Sequence, residues 1–247
     1  MSLNLRDLVN NYDFTCVLPG SGEEIHFKPL TTGQMKKMLV YEKEDNPFTI
    51  ETILDGIISE CVLNDDFDIN KLYLQDRFYL FLKIREKSKG AIYKFMFKCP
   101  HCDHQEAGSI DITKMEVKEF NEDKTPIQVA DNISVVMKHI TRGEQKKVYN
   151  SIRKLKGLNK QQQLVEASTQ SIALSMEKFI SGDTEDDNVP FEDKLYLLND
   201  CMTIETFDRI KQWFEDNNFG IIFKKNIKCN KCEEDVEFDI PMNNFFD

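Results

Sequence analysis

Apolar residues recur at spacings of three and four through Ile50, Ile53, Leu54, Ile57, Ile58, Cys61 and Val62, and again through Leu74, Phe78, Phe81 and Leu82. Both runs carry the helical period and predict helices with one core-facing stripe. Farther on, Leu164, Ala167, Ile172, Met176 and Phe179 predict a third such helix, and Ile204, Phe207, Ile210 and Trp213 a fourth. A shorter, strand-like pattern surrounds two polar turns. Tyr93, Phe95 and Phe97 precede the first turn and Ile110 and Ile112 follow it; Ile221, Ile222, Phe223 and Ile227 precede the second, with Val236, Phe238 and Ile240 after it. Each turn is therefore predicted to sit in a strand, knuckle, strand unit.

The pattern is written twice. His26-Phe-Lys-Pro-Leu-Thr-Thr-Gly33-Gln-Met-Lys36-Lys37-Met resembles Val136-Met-Lys-His-Ile-Thr-Arg-Gly143-Glu-Gln-Lys146-Lys147-Val, each a strand, a Thr-x-Gly turn and a helix opening. The two knuckles follow in the same order, at a larger offset, so the second copy carries about 20 extra residues. The polar stretch Gly182-Asp-Thr-Glu-Asp-Asp-Asn188 is the place for part of them. Between the copies, Asn121-Glu-Asp-Lys-Thr-Pro126 combines charge, a turn former and proline ahead of the strand-like Ile127 to Val129. This reading gives an N-terminal half, residues 1–120, with the first knuckle hairpin, and a related C-terminal half, residues 121–247, with the second.

Both knuckles are CxxC pairs, Cys99-Pro-His-Cys102 and Cys229-Asn-Lys-Cys232. A two-residue spacer lets two thiolates reach one cation from a tight turn, and two such turns complete the tetrahedral all-thiolate shell of structural zinc. Reduced core thiols, a disulfide pair and a redox CxxC are the competing readings. No secretory signal favours a disulfide, and thioredoxin-like chemistry calls for one CxxC at a helix start within a βαβ pattern. The expected metal ligands are Cys99, Cys102, Cys229 and Cys232, from distant parts of the chain, so zinc would staple the two halves. His101 and His104 read as exposed knuckle residues. After the second cysteine the knuckles read Cys-Asp-His and Cys-Glu-Glu, where glycine is frequent. Cys16, Cys61 and Cys201 stand alone. The fold class expected is α+β: two related halves, each of hairpin, helices and CxxC hairpin, joined by a four-cysteine zinc ribbon.

Composition narrows the function. In 247 residues, 40% apolar with 7 prolines and 10 glycines, there is no room for a collagenous or low-complexity chain. The longest apolar run, Phe78 to Leu82, is far short of a bilayer span, and no signal-peptide core opens the chain. A soluble protein that is not exported is expected. The net charge of -11 repels phosphate backbones, so protein partners are expected rather than nucleic acid or membrane. With 4 histidines and no GxSxG, HExxH, Walker or GxGxxG motif, no catalytic constellation is legible, and no enzyme is predicted. Asp65, Asp66 and Asp68 lack the glycine and glutamate of a calcium loop and read as a solvated turn. Lys83, Arg85, Lys87 and Lys89, and Lys224, Lys225, Lys228 and Lys231, lie beside the knuckles, as in nucleic-acid-binding ribbons; the blander reading is a solvated edge that balances thiolate charge. Phe245 and Phe246 in the last segment could cover the chain's own core or enter a partner.

Several segments together resemble the baseplate hub proteins of T4-like bacteriophages. They are Phe14-Thr-Cys-Val-Leu-Pro19-Gly-Ser-Gly22, Lys28-Pro29-Leu30-Thr31, Phe81-Leu-Lys-Ile-Arg85, Ser88-Lys-Gly90 and Tyr93 through Cys102, and the likeness extends to the second CxxC. The resemblance implies a part in building the hub of a contractile tail's baseplate, as a minor structural subunit or as a hub-assembly chaperone. Other hub or tail proteins would be its partners. It implies a location in the host cytoplasm during assembly and, for a structural subunit, in the baseplate of the virion. No catalytic or ligand residues come with it. A nucleic-acid-associated zinc-ribbon regulator is the alternative.

Overall fold

The structure is a computed structural model that describes residues 12–41 and 47–240; the pair Phe245 and Phe246 lies outside the described residues. Among the described residues the first element is an antiparallel hairpin of β1 (Phe14–Val17) and β2 (Glu24–Phe27). Its turn is clamped from a helix that comes later in sequence, α3 (Leu74–Lys89). The carboxylate of Asp76, fully buried, accepts the N–H groups of Gly20 at 2.6 Å and Ser21 at 2.9 Å. Only glycine fits the first position, because a Cβ on Gly20 would stand 2.5 Å from the Phe219 ring.

Helices α1 (Thr32–Tyr41) and α2 (Pro47–Cys61) follow. At the first, the Thr31 N–H donates to Gln34 Oε1 at 2.8 Å and the Gln34 N–H donates back to Thr31 Oγ1 at 3.3 Å, a reciprocal cap. The Asp65–Asp68 segment leads into a 3-10 turn, Ile69–Lys71, capped by Asp68, whose Oδ1 accepts the Asn70 N–H. After α3, the strands β3 (Ile92–Lys98) and β4 (Gln105–Asp111) form the first knuckle hairpin.

Next come β5 (Val117–Lys118), β6 (Ile127–Ala130) and β7 (Ile133–Met137). Helix α4 (Arg142–Ile152) opens with the same reciprocal cap as α1, here between Thr141 and Glu144. Helix α5 (Lys160–Ser175) follows, but the predicted helix through Met176 and Phe179 ends early. Those two residues belong to β8 (Met176–Ser181), where Met176 faces Met137 and Phe179 faces Val135. An i, i+3 pair fits a helix or a strand whose two faces are both covered, and pairing with β7 decides for the strand. With β9 (Thr184–Asp186) this completes a four-stranded antiparallel sheet in the order β6-β7-β8-β9, so the polar 182–188 stretch is a hairpin turn and edge strand. Then come α6 (Phe191–Tyr196), a π-helical turn (Leu197–Cys201), α7 (Ile204–Asp216), β10 (Gly220–Ile221), β11 (Lys224–Lys228) and β12 (Asp235–Asp239). Helix α7 matches its predicted span, although Ile204, at its first position, is 82% exposed and outside the core.

Packing brings early and late segments of the chain together. The largest apolar cluster gathers β1, β2, α3 and β3, and Ile240, Phe223, Ile227 and Phe238 from the far end of the chain join it. A second cluster lies between the four-stranded sheet and α7, around Val135, Met137, Met176, Ile210 and Trp213. The connecting segment is not a free linker: Asp123 donates its N–H to Asn217 Oδ1 at 2.7 Å and accepts from Trp213 Nε1 at 2.9 Å. Beside it, His139 is buried among Tyr73, Phe120, Trp213 and Phe219.

Between α2, α3 and α4 lies a buried ion cluster. Asp55 meets Arg77 Nε at 2.7 Å and Arg142 Nη2 at 2.9 Å, with Lys146 Nζ at 3.1 Å, while Glu51 meets Arg77 Nη1 at 2.7 Å. The Arg142 side chain has no solvent exposure at all.

Candidate metal centre

The two knuckles are built alike. In the first, Cys99 donates its N–H to the His104 carbonyl at 2.8 Å and accepts the Asp103 N–H at 3.0 Å; in the second, Cys229 donates to Glu234 at 3.0 Å and accepts from Glu233 at 2.9 Å. These turns require a left-handed residue after the second cysteine, and Asp103 and Glu233 supply it at φ 57° and 61°. Both fill positions where glycine would be unstrained. Glu233→Gly is expected to raise stability by about 0.5–1 kcal/mol, since release of left-handed strain outweighs the freedom glycine adds to the unfolded chain. Urea unfolding of the two proteins checks this.

The hairpins pack so that all four sulfur atoms converge. Cys99 Sγ lies 3.7 Å from Cys232 Sγ, and Cys102 Sγ 3.7 Å from Cys229 Sγ; all four lie within 4.8 Å of one another. Four thiolates around one tetrahedral ion with bonds of about 2.3 Å stand about 3.8 Å apart. The donor set fits one thiophilic ion, and the four cysteines could hold it. Cys99 and Cys229 are buried, and Cys102 and Cys232 are half-buried.

Protonation within the cluster is shared unevenly. Backbone N–H groups of Cys232 and Lys231 directed at the Cys229 sulfur draw its pKa down to about 7. Cys232 receives an N–H from Glu234, yet burial and the adjoining thiols push it up to about 12. A cation at the centre would remove that conflict by favouring thiolate at every position. The lone cysteines differ. Burial raises Cys16 and Cys61 to about 11, which leaves them inert core thiols, and Cys201 is exposed. His101 and His104 are not part of the cluster.

Around the sulfurs, the Phe97 and Phe238 rings stack at 5.0 Å and Phe95 meets Phe238 at 5.6 Å. The nearby lysines are interleaved with acceptors: Lys98 with Asp103 at 2.7 Å, Lys224 with Glu237 at 3.5 Å, and Lys225 with the Ser109 carbonyl at 3.3 Å. On α3, Lys83 and Lys87 both meet Glu86, and Arg85 holds the carbonyls of Gly90 and Ile92. Sequence spacing found the thiols. It missed the Asp55, Arg77 and Arg142 cluster, whose members are far apart in the chain and look like ordinary surface charges.

Among the described residues, no helix is long and apolar enough to cross a membrane. No curated protein and no solved structure matches the chain. The model of the family described as T4 bacteriophage base plate protein matches residues 9–247, nearly the whole chain. The segments likened above to baseplate proteins all fall within that match, and the chain belongs to the T4 bacteriophage base plate protein family.

Proposed function

We propose that this protein serves the central hub of the baseplate, as a minor structural subunit or as a chaperone that assembles the hub, and that it acts by binding other hub proteins. The family match across residues 9–247 carries this reading. In it, one zinc ion held by Cys99, Cys102, Cys229 and Cys232 is structural: four thiolates fill a tetrahedral shell and leave no position for a reacting water. The sulfur spacing supports that assignment. We also read residues 1–120 and 121–247 as related halves. The matching caps at Thr31 and Thr141 and the matching knuckle turns support this. Zinc then joins one hairpin from each half into a rigid module, so partner binding costs little ordering entropy.

The test is an affinity pull-down of the tagged protein late in phage infection, beside proteomics of purified virions. Hub proteins in the eluate with the bait in virions mean a structural subunit. The same eluate with virions lacking the bait means an assembly chaperone. Recovery of polymerase or nucleic acid in place of hub proteins would overturn the hub reading in favour of a regulator.

A further inference from the structure

Among the described residues, the knuckle module leaves two strand edges unpaired with any other strand, and the hydrogen bonds say which backbone groups they offer. In β3–β4 the bonded pairs are fixed at both ends, by Cys99 N–H to the His104 carbonyl and Ile112 N–H to the Ala91 carbonyl, and no bulge interrupts the register between. Antiparallel pairs alternate between bonded and non-bonded. The N–H and C=O groups of Ile92, Lys94, Met96 and Lys98 therefore point away from β4. Arg85 takes the Ile92 carbonyl at 3.1 Å; among the described residues no strand pairs with the rest of that edge. In β11–β12 the fixed pairs are Cys229 with Glu234 and Ile240 with Phe223. By the same alternation, Asp235, Glu237 and Asp239 turn their backbone groups outward from β12.

The two edges differ in charge and share a side of the module. On β3, Ile92 is 51% and Met96 61% exposed, alternating with Lys94 and Lys98. The open edge of β12 carries three exposed carboxylates. The rings of Phe95 and Phe97 against Phe238 place β3 over β12. Gly108 facing Ile227, and Lys225 reaching the Ser109 carbonyl, place β4 over β11. One side of this small sandwich thus presents a basic, partly apolar edge directly above an acidic one.

We infer that a second copy of this chain docks on that side, with β3 of each copy adding to β12 of the other about a two-fold axis. Such an interface is self-complementary and closes at two copies. Each two-stranded hairpin becomes half of a four-stranded sheet, Lys94 and Lys98 face the carboxylates of the partner, and Ile92 and Met96 lose solvent. Lysines on an edge more often guard against pairing. Here the guarded strand also exposes two large apolar residues, and its acidic complement lies on the same chain. The pairs Lys98 with Asp103 and Lys224 with Glu237 are exposed and cost little to exchange.

Sedimentation velocity of the full chain, with metal content and far-UV circular dichroism as fold controls, tests the inference. The wild type is expected to be dimeric at about 50 µM. Met96→Pro removes an outward N–H and no bond of the hairpin, and should weaken the dimer by about 30-fold or more. Lys94→Glu with Lys98→Glu should be monomeric alone, as should Asp235→Lys with Glu237→Lys and Asp239→Lys; mixed, these two proteins should form a heterodimer, because both strand pairings regain opposite charge. A monomeric wild type, a Met96→Pro protein that remains dimeric, or a mixture that stays monomeric would each overturn the inference. If Met96→Pro does not fold, the mixing result decides.

Discussion

On the proposed zinc site, replacing Cys99 or Cys229 by serine is expected to abolish stoichiometric zinc binding and to lower the melting temperature by about 10 °C or more. Each substitution removes one of the four thiols that could hold the ion and leaves no spare donor, since among the described residues the cluster consists of Cys99, Cys102, Cys229 and Cys232 alone. The loss spreads beyond the knuckles because Phe223, Ile227, Phe238 and Ile240 of the second hairpin complete the largest apolar cluster. Metal analysis and calorimetry read the two effects. Trp213 lies in the other cluster, so its fluorescence reports whether unfolding is shared. In the zinc-loaded wild type, tryptophan fluorescence and circular dichroism should give coincident urea transitions; a chelator should move both to lower urea. Both serine variants keeping native stability and zinc content would refute a shared site, and two separated, metal-independent transitions would refute coupling of the two proposed halves.

Arg142→Met is the second large effect, expected to cost about 3–5 kcal/mol. The guanidinium is fully buried and meets Asp55 Oδ2 at 2.9 Å and Gln145 Oε1 at 2.6 Å. Its removal leaves Asp55 desolvated with less compensation. The cost arises from the stranded partner more than from the lost attraction, which is why truncating one member of a buried pair is severe. Burial of Asp55 raises its pKa, but the Arg142 hydrogen bonds and the Arg77 and Arg142 charges outweigh burial and hold it below the usual carboxylate value. A depressed folded-state pKa contributes stability that is complete above the unfolded value near ~3.9 and is lost as pH falls through the lower folded one. The difference between wild type and Arg142→Met should therefore be constant near neutrality and shrink below about pH 4. Urea denaturation at several pH values checks this; a difference independent of pH through that range would remove Asp55 from the account.

What the sequence made legible was local. Helices over 50–62, 74–82 and 204–213 were readable because one apolar stripe with no competing partner fixes the period. The Thr-x-Gly likeness had a physical basis, since both segments form a reciprocal helix cap. The four thiols were readable because a CxxC knuckle is specified within a few residues. Where pairing was long-range, pattern reading failed: Met176 and Phe179 joined a strand because β7 lies beside them, and nothing near Asp55 in sequence announces Arg142. The absence of glycine after Cys102 and Cys232 did not prevent the turns, because Asp103 and Glu233 accept the left-handed conformation that the knuckle demands.

The separation of the two knuckles sets an order of events during synthesis. Cys102 and Cys229 are 127 positions apart, so the four-sulfur cluster cannot exist on a nascent chain until residue 232 has emerged. The largest apolar cluster waits as well, for Phe238 and Ile240. The N-terminal part therefore cannot finish folding first, as successive domains commonly do; its exposed apolar face must persist while the rest is translated. Contacts of such sequence separation form slowly. Convergence of the four sulfurs thus waits on the second knuckle, and a protein truncated before it would be left with an open core.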